Sequence, residues 1–120
     1  MRKKALVIDD NLNSLMLEKD LLEVAGFEVF EAENASRGIA IARKEKPDII
    51  IMDMRLPDMR GSETANILRQ DKGTSAIPIV FVTASVLPGN KEEITIINSG
   101  FIEKPINTRT FAKEISQFIN

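Results

Sequence analysis

Short apolar runs alternate with longer stretches of helical periodicity along the whole chain, and no other feature limits its fold so tightly. Residues 5–8, 27–30, 49–52 and 77–82 read as strands, with Phe101 and Ile102 as a short fifth. Leu17, Leu21, Val24 and Ala25 recur at helical spacing and predict a first helix, with Gly26 where a C-terminal cap is expected. Asn34 caps a second helix running through Ile39, Ala42 and Arg43, which must stop before Pro47 because the residue ahead of a proline leaves the helical region. Ser62, Ala65 and Leu68 mark a third helix, and residues 91–98, following Pro88, a fourth. A fifth carries Phe111, Ala112, Ile115, Phe118 and Ile119 on one stripe, with Asn107 or Thr108 as its cap.

Strands and helices in alternation imply right-handed crossovers and an α/β fold: a parallel sheet with helices on both faces. The first, third and fourth runs are apolar on both sides, as covered parallel strands are, whereas the second carries Glu28 and Glu31 and reads as an edge. The expected strand order of the five-stranded sheet is 2-1-3-4-5. At 120 residues and 13.4 kDa the chain fits a single domain spanning 1–120, large enough to fold without staples.

Composition removes many chemistries. Without cysteine or histidine there are no disulfides, thiolate or imidazole metal sites, or cysteine or histidine nucleophiles. Sixteen basic and eighteen acidic residues leave a net charge of -2, with no like-charge block that would suggest direct nucleic-acid binding or a membrane patch. No apolar run reaches the roughly 20 residues of a membrane span, and MRKKALVIDD is cut short by two aspartates, unlike a signal peptide; the expected location is cytoplasmic.

The remaining groups gather at strand ends. In a sheet of this order, ligands bind beyond the carboxyl ends of the strands, where strands one and three part company. Strand one runs into Asp9 and Asp10, strand three into Asp53, strand four into Thr83 and Ala84, and strand five into Lys104 and Pro105. Singly these are ordinary: Asp10 or Asp58 would cap a helix or form a turn, and Thr83 or a Lys-Pro pair is common at a strand end. Together they are not. Two carboxylates ~4 Å apart repel by about 4 kcal/mol at an effective dielectric of about 20, so three call for a cation, and an all-oxygen site suits Mg²⁺. An aspartate, a hard metal, a hydroxyl and a lysine are the parts needed for phosphoryl transfer to a carboxylate.

IDDN at 8–11, MDMRLPDMRG at 52–61, VTAS at 82–85 and EKPI at 103–106 resemble, in order and spacing, the receiver domain of two-component response regulators, a flavodoxin-like (βα)5 fold. The resemblance covers the whole chain. It implies a phosphorylation-controlled signalling switch with Asp53 as phosphoacceptor. It also implies Mg²⁺ held directly by Asp10, Asp53 and the backbone carbonyl of Arg55, with Asp9 acting through water. Thr83 and Lys104 would contact the phosphoryl group, and Phe101 takes the place of the family's aromatic switch. The donor would be a phosphohistidine on a histidine kinase or histidine phosphotransfer protein. The loop before strand five is shorter than in many relatives, and Arg55 stands two residues after the phosphoacceptor, either shielding the acyl phosphate or pointing into solvent.

Two other readings compete. A haloacid-dehalogenase-type phosphatase also uses an aspartate nucleophile, but carries a second aspartate where this chain has Arg55. A receiver-like interaction module would keep the fold and never be phosphorylated. Output is expected through the face formed by helix four, strand five and helix five, where Ile96 points outward and would support a homodimer or an effector contact.

Overall fold

The computed structural model describes residues 2–84 and 99–119. Five strands, β1 (Lys4–Ile8), β2 (Glu28–Ala32), β3 (Ile49–Met52), β4 (Ile79–Thr83) and β5 (Ser99–Glu103), form one sheet in the order β2-β1-β3-β4-β5. All four pairings are parallel. Four helices are described: α1 (Leu12–Val24), α2 (Ala35–Glu45), α3 (Gly61–Gln70) and α4 (Phe111–Ser116). The predicted helix at 91–98, and Ile96 with it, lies outside the described residues.

Alternation along each strand divides the core between the two faces of the sheet. Leu6, Ile8, Ile50, Met52, Ile79 and Phe81 face α2 and α3, where Ile39, Ala42, Ala65 and Leu68 meet them. Ala5, Val7, Ile49, Ile51, Val80 and Val82 face the opposite way, against Leu15 and Leu22 of α1 and Phe111 and Ile115 of α4. Every residue of β3 and β4 is buried, while β2 shows Glu28 and Glu31 to solvent, as expected of its edge position.

Four expectations need correction. The stripe read for α1 is wrong: Leu17 is 41% exposed and Val24 89%, and the helix buries Leu15, Glu18 and Leu22 instead. The first helix does end as predicted, with Gly26 at φ 101° and the amides of Gly26 and Phe27 bonded to the carbonyls of Glu23 and Leu22, a Schellman cap. That cap uses Phe27, so β2 starts at Glu28 rather than Phe27 and runs on to Ala32. The last helix stops at Ser116, leaving Phe118 and Ile119 to pack on the core from the turns beyond it. Neither candidate cap is used: the N-cap is Thr110, with no side-chain cap bond, and Asn107 instead accepts the Arg109 amide on its Oδ1 at 3.0 Å in the turn that leads into the helix.

Candidate functional site

The strand order makes β1 and β3 neighbours, and the ladder extends one step past both, with the Asp53 amide donating to the Ile8 carbonyl at 3.0 Å. Asp9 is fixed in turn by its own amide, which donates to the Ala32 carbonyl of β2 at 3.0 Å. Beyond β5 the Lys104 amide donates to the Thr83 carbonyl at 3.0 Å, and the following Lys104–Pro105 peptide is cis. Rigid ladder ends therefore hold Asp9, Asp53 and Lys104.

The Lys104 ammonium lies between the two carboxylates. It donates to Asp9 Oδ2 at 2.8 Å, to Asp53 Oδ2 at 3.0 Å and to Ser14 Oγ at 3.3 Å, which uses all three of its protons. The other Asp9 oxygen accepts the Asn11 amide at 2.9 Å, and the other Asp53 oxygen the Arg55 amide at 3.0 Å. The side chains of Asp9, Asp53 and Lys104 retain 2%, 13% and 16% of their exposure, so the ammonium acts through little water. Burial opposes the charge on Lys104, yet the hydrogen bonds it donates to Asp9 and Asp53 and their negative charges outweigh it and raise its pKa. At Asp9 the balance tips the other way: burial dominates the bonds from Lys104 and Asn11 and raises the carboxyl.

Over this cluster opens a cleft of about 320 Å³ lined by Asp10, Asn11, Asp53, Arg55, Thr83 and Lys104, among others. Asp10 is exposed at its edge, while Thr83, the last residue of β4, is 2% exposed. Phe101 lies half-buried in β5 opposite Phe81 and packs on the face shared with α2 and α3. The seven residues singled out in the sequence thus divide: Asp10, Asp53, Arg55, Thr83 and Lys104 line the cleft, Asp9 sits beneath it, and Phe101 stands two residues back along the sheet from its rim. Among the described residues no three acidic side chains close into a cation cage, because the Lys104 ammonium already sits between Asp9 and Asp53.

Three roles were missed or misassigned in the sequence. Ser14 reaches Lys104 from the first turn of α1, where Asn11 caps the helix by accepting the Ser14 amide. Asp58, read as a helix cap or turn former, is a helix cap whose partner the sequence did not reveal: from the loop that follows Asp53 it accepts the amides of Ala35 and Ser36, both at 2.9 Å, at the start of α2. Glu18, 2% exposed, is a buried carboxyl pushed up to about 8, by desolvation first and then by the charges of Asp9 and Asp53, against the opposing pull of Lys104. Its only sequence signal was a charged residue between Leu15 and Leu22, which interrupts the stripe that α1 buries.

The response regulator receiver domain model matches residues 5–116. The polar-differentiation response regulator DivK of Brucella anthropi is 32% identical over 120 residues, covering 99% of this chain and 98% of its own. The chemotaxis response regulator CheY4 of Vibrio cholerae has a solved structure similar to this chain at a TM-score of 0.91 and 28% identity, over 99% of this chain and 100% of the other. The receiver domain of a Pseudomonas aeruginosa sensor histidine kinase, solved with a magnesium ion coordinated in its active-site cleft, shares the fold at a TM-score of 0.89 and 21% identity, over 98% of each chain.

Proposed function

The chain belongs to the response regulator receiver domain family, a class of phosphorylation-controlled signalling switches, and from that premise we propose that Asp53 is its phosphoacceptor. The observation that carries the assignment is the Asp53 carboxylate, 13% exposed at the floor of the cleft, with the Lys104 ammonium 3.0 Å away. The haloacid-dehalogenase reading gains no support from a family match that spans residues 5–116.

An Asp53 oxygen attacks phosphorus on a donor phosphohistidine; the O–P bond forms as the P–N bond breaks, and its electron pair leaves with the donor imidazole. The chain has no histidine, so the donor comes from a histidine kinase or histidine phosphotransfer protein. Lys104 turns from the carboxylates to the transferred oxygens, and Thr83 donates to another of them. Arg55, whose amide holds the second Asp53 oxygen, sets the orientation of the carboxylate. This assistance covers the chain's own phosphorylation and dephosphorylation and does not make it a turnover enzyme.

The donors suit Mg²⁺: all are oxygens, and this ion is commonly held by one or two carboxylates with water completing its shell, so a three-carboxylate cage is not required. Asp10, Asp53 and the Arg55 carbonyl would hold it directly and Asp9 through water, and when bound it would neutralise charge on the phosphoryl oxygens. Leu12 and Met16, 55% and 60% exposed on α1 beside the cleft, offer a partner an apolar foothold. The single-domain reading of residues 1–120 and a cytoplasmic site of action belong to this proposal; no described helix is long and apolar enough to cross a membrane.

The output step couples Thr83 to Phe101. Drawing the Thr83 hydroxyl towards the phosphoryl group frees space beside β5 for the Phe101 ring, and the face built by β5 and α4 then favours a homodimer or an effector. With beryllofluoride as phosphoryl mimic, the amide shifts around Phe101 should shrink in Thr83→Ala, and identical shifts would remove the hydroxyl as trigger.

Acetyl phosphate with Mg²⁺ should add one phosphoryl group, read by intact mass, to the wild type but not to Asp53→Asn or to an EDTA-treated sample. Equal incorporation in Asp53→Asn would overturn the assignment. No incorporation in the wild type from this donor or from a phosphohistidine protein would leave the interaction-module reading.

A further inference from the structure

Next to the phosphorylation cleft, on the other side of Lys104, is a second cavity of about 320 Å³, lined by Leu17, Glu18, Ala84, Lys104, Pro105 and Ile106, among others. Its walls are mainly apolar, and among the described residues its one acidic group is Glu18. Glu18 is 2% exposed, and burial and the charges of Asp9, Lys104 and Asp53, rather than any hydrogen bond, set its environment among the described residues. A carboxyl buried in apolar surroundings with no hydrogen bond is costly, and the family chemistry proposed for Asp53 does not use it.

The charges around the cavity select its ligand. The groups that face Glu18 from neighbouring elements are Asp9 after β1, Asp53 after β3 and Lys104 after β5. The three protons of Lys104 are engaged by Asp9, Asp53 and Ser14, so the lysine is not available as a counter-ion to Glu18. Two carboxylates against one ammonium leave the surroundings net negative, which keeps Glu18 from ionising alone and attracts a cation.

We propose that this cavity is a binding site for a small organic monocation, an ammonium or amidinium group on a short apolar body, with Glu18 as its anionic partner and Leu17, Pro105 and Ile106 enclosing the body. Binding transfers the Glu18 proton to solvent, and the ionised carboxylate accepts two charge-assisted hydrogen bonds from the ligand. Because Lys104 and Ala84 line both this cavity and the phosphorylation cleft, an occupant touches the residues that flank Asp53.

Benzamidinium and its near-isosteric neutral counterpart benzamide test the proposal on the metal-free, unphosphorylated protein, so the result is independent of the assignment of Asp53. Benzamidinium should shift the amide resonances of Leu17, Glu18 and Ile106 saturably. Benzamide, or benzamidinium with Glu18→Gln, should bind roughly tenfold more weakly or worse, the loss expected for a charge-assisted hydrogen bond. Calorimetry in buffers of different ionisation enthalpy should show proton release in the wild type and none in Glu18→Gln. Ile106→Phe, which fills the cavity and leaves Glu18 in place, should also abolish binding. Equal affinity for the two probes, unchanged affinity in Glu18→Gln, shifts centred elsewhere, or no shift at millimolar benzamidinium would each overturn it.

Discussion

Glu18 shows how one side chain sets the pH response of the fold. Its carboxyl has an ordinary value of 4.5 and a folded value of about 8, so the folded state binds its proton more tightly than the unfolded chain does. Between those values the unfolded state ionises and the folded state does not; stability therefore falls as pH rises from 4.5 and levels off above about 8. At pH 7 the penalty is about 3 kcal/mol. Glu18→Gln, which buries an amide that cannot ionise, should be more stable than the wild type by about that amount at pH 7 and nearly equal to it near pH 4.5. Urea unfolding at the two pH values checks this, and a constant difference between the proteins would show that Glu18 ionises freely in the folded state.

At the level of helices and strands, close approach governs how the site is held. Gly61 begins α3, and a Cβ there would lie 2.8 Å from the Asp53 carbonyl oxygen and 3.0 Å from Met54 Cα. Backbone cannot move aside as a flexible side chain can. Gly61→Ala should cost roughly 1–3 kcal/mol and slow acetyl phosphate labelling by displacing the Asp53 loop, both measurable on one sample. Unchanged stability and labelling would mean that the loop yields freely. The same elements show what could be read in advance. β1, β3 and β4 were legible because unbroken apolar runs leave no choice of face, and the caps at Asn34 and Gly26 because each solves a local hydrogen-bonding problem. The face of α1 was not, because Glu18 occupies the stripe through Leu15 and Leu22 while Leu12, Met16 and Leu17 scatter apolar surface outside it. Periodicity counts residues; it cannot see a neutral carboxyl taking a core position.

Across the sheet, the site is a product of strand order. β4 separates β3 from β5, so Lys104 must span it to reach Asp53, and it does so from a backbone tied to Thr83. The clustering of Asp9, Asp53 and Lys104 was legible in the sequence once that order was inferred, but the lysine's place between the carboxylates was not, since it depends on side-chain reach rather than on register. With Lys104 as an internal counter-ion, folding does not wait for a metal. A divalent ion at the acidic rim should still add to stability: at roughly thirty times its dissociation constant it contributes about 2 kcal/mol. Thermal melts should rise with added Mg²⁺, return with EDTA, and respond less in Asp10→Asn. A melt indifferent to Mg²⁺ would argue against a metal at this rim.

The Asp58 clamp on α2 ties the first amides of that helix to the loop that leaves Asp53. Those amides, Ala35 and Ser36, should therefore exchange with deuterium on the timescale at which the loop opens, although neither belongs to the cleft. The two amide bonds hold the Asp58 carboxyl below its ordinary value, so the clamp persists above the unfolded-chain pKa and is lost as pH falls through the lowered one. Exchange at Ala35 and Ser36, corrected for the intrinsic pH dependence, should accelerate on acidification in the wild type and be fast at every pH in Asp58→Ala. If phosphorylation rearranges the Asp53 loop, the same two positions will register it from the far side of the loop, giving an isotope label for the activation state that requires no probe in the site itself.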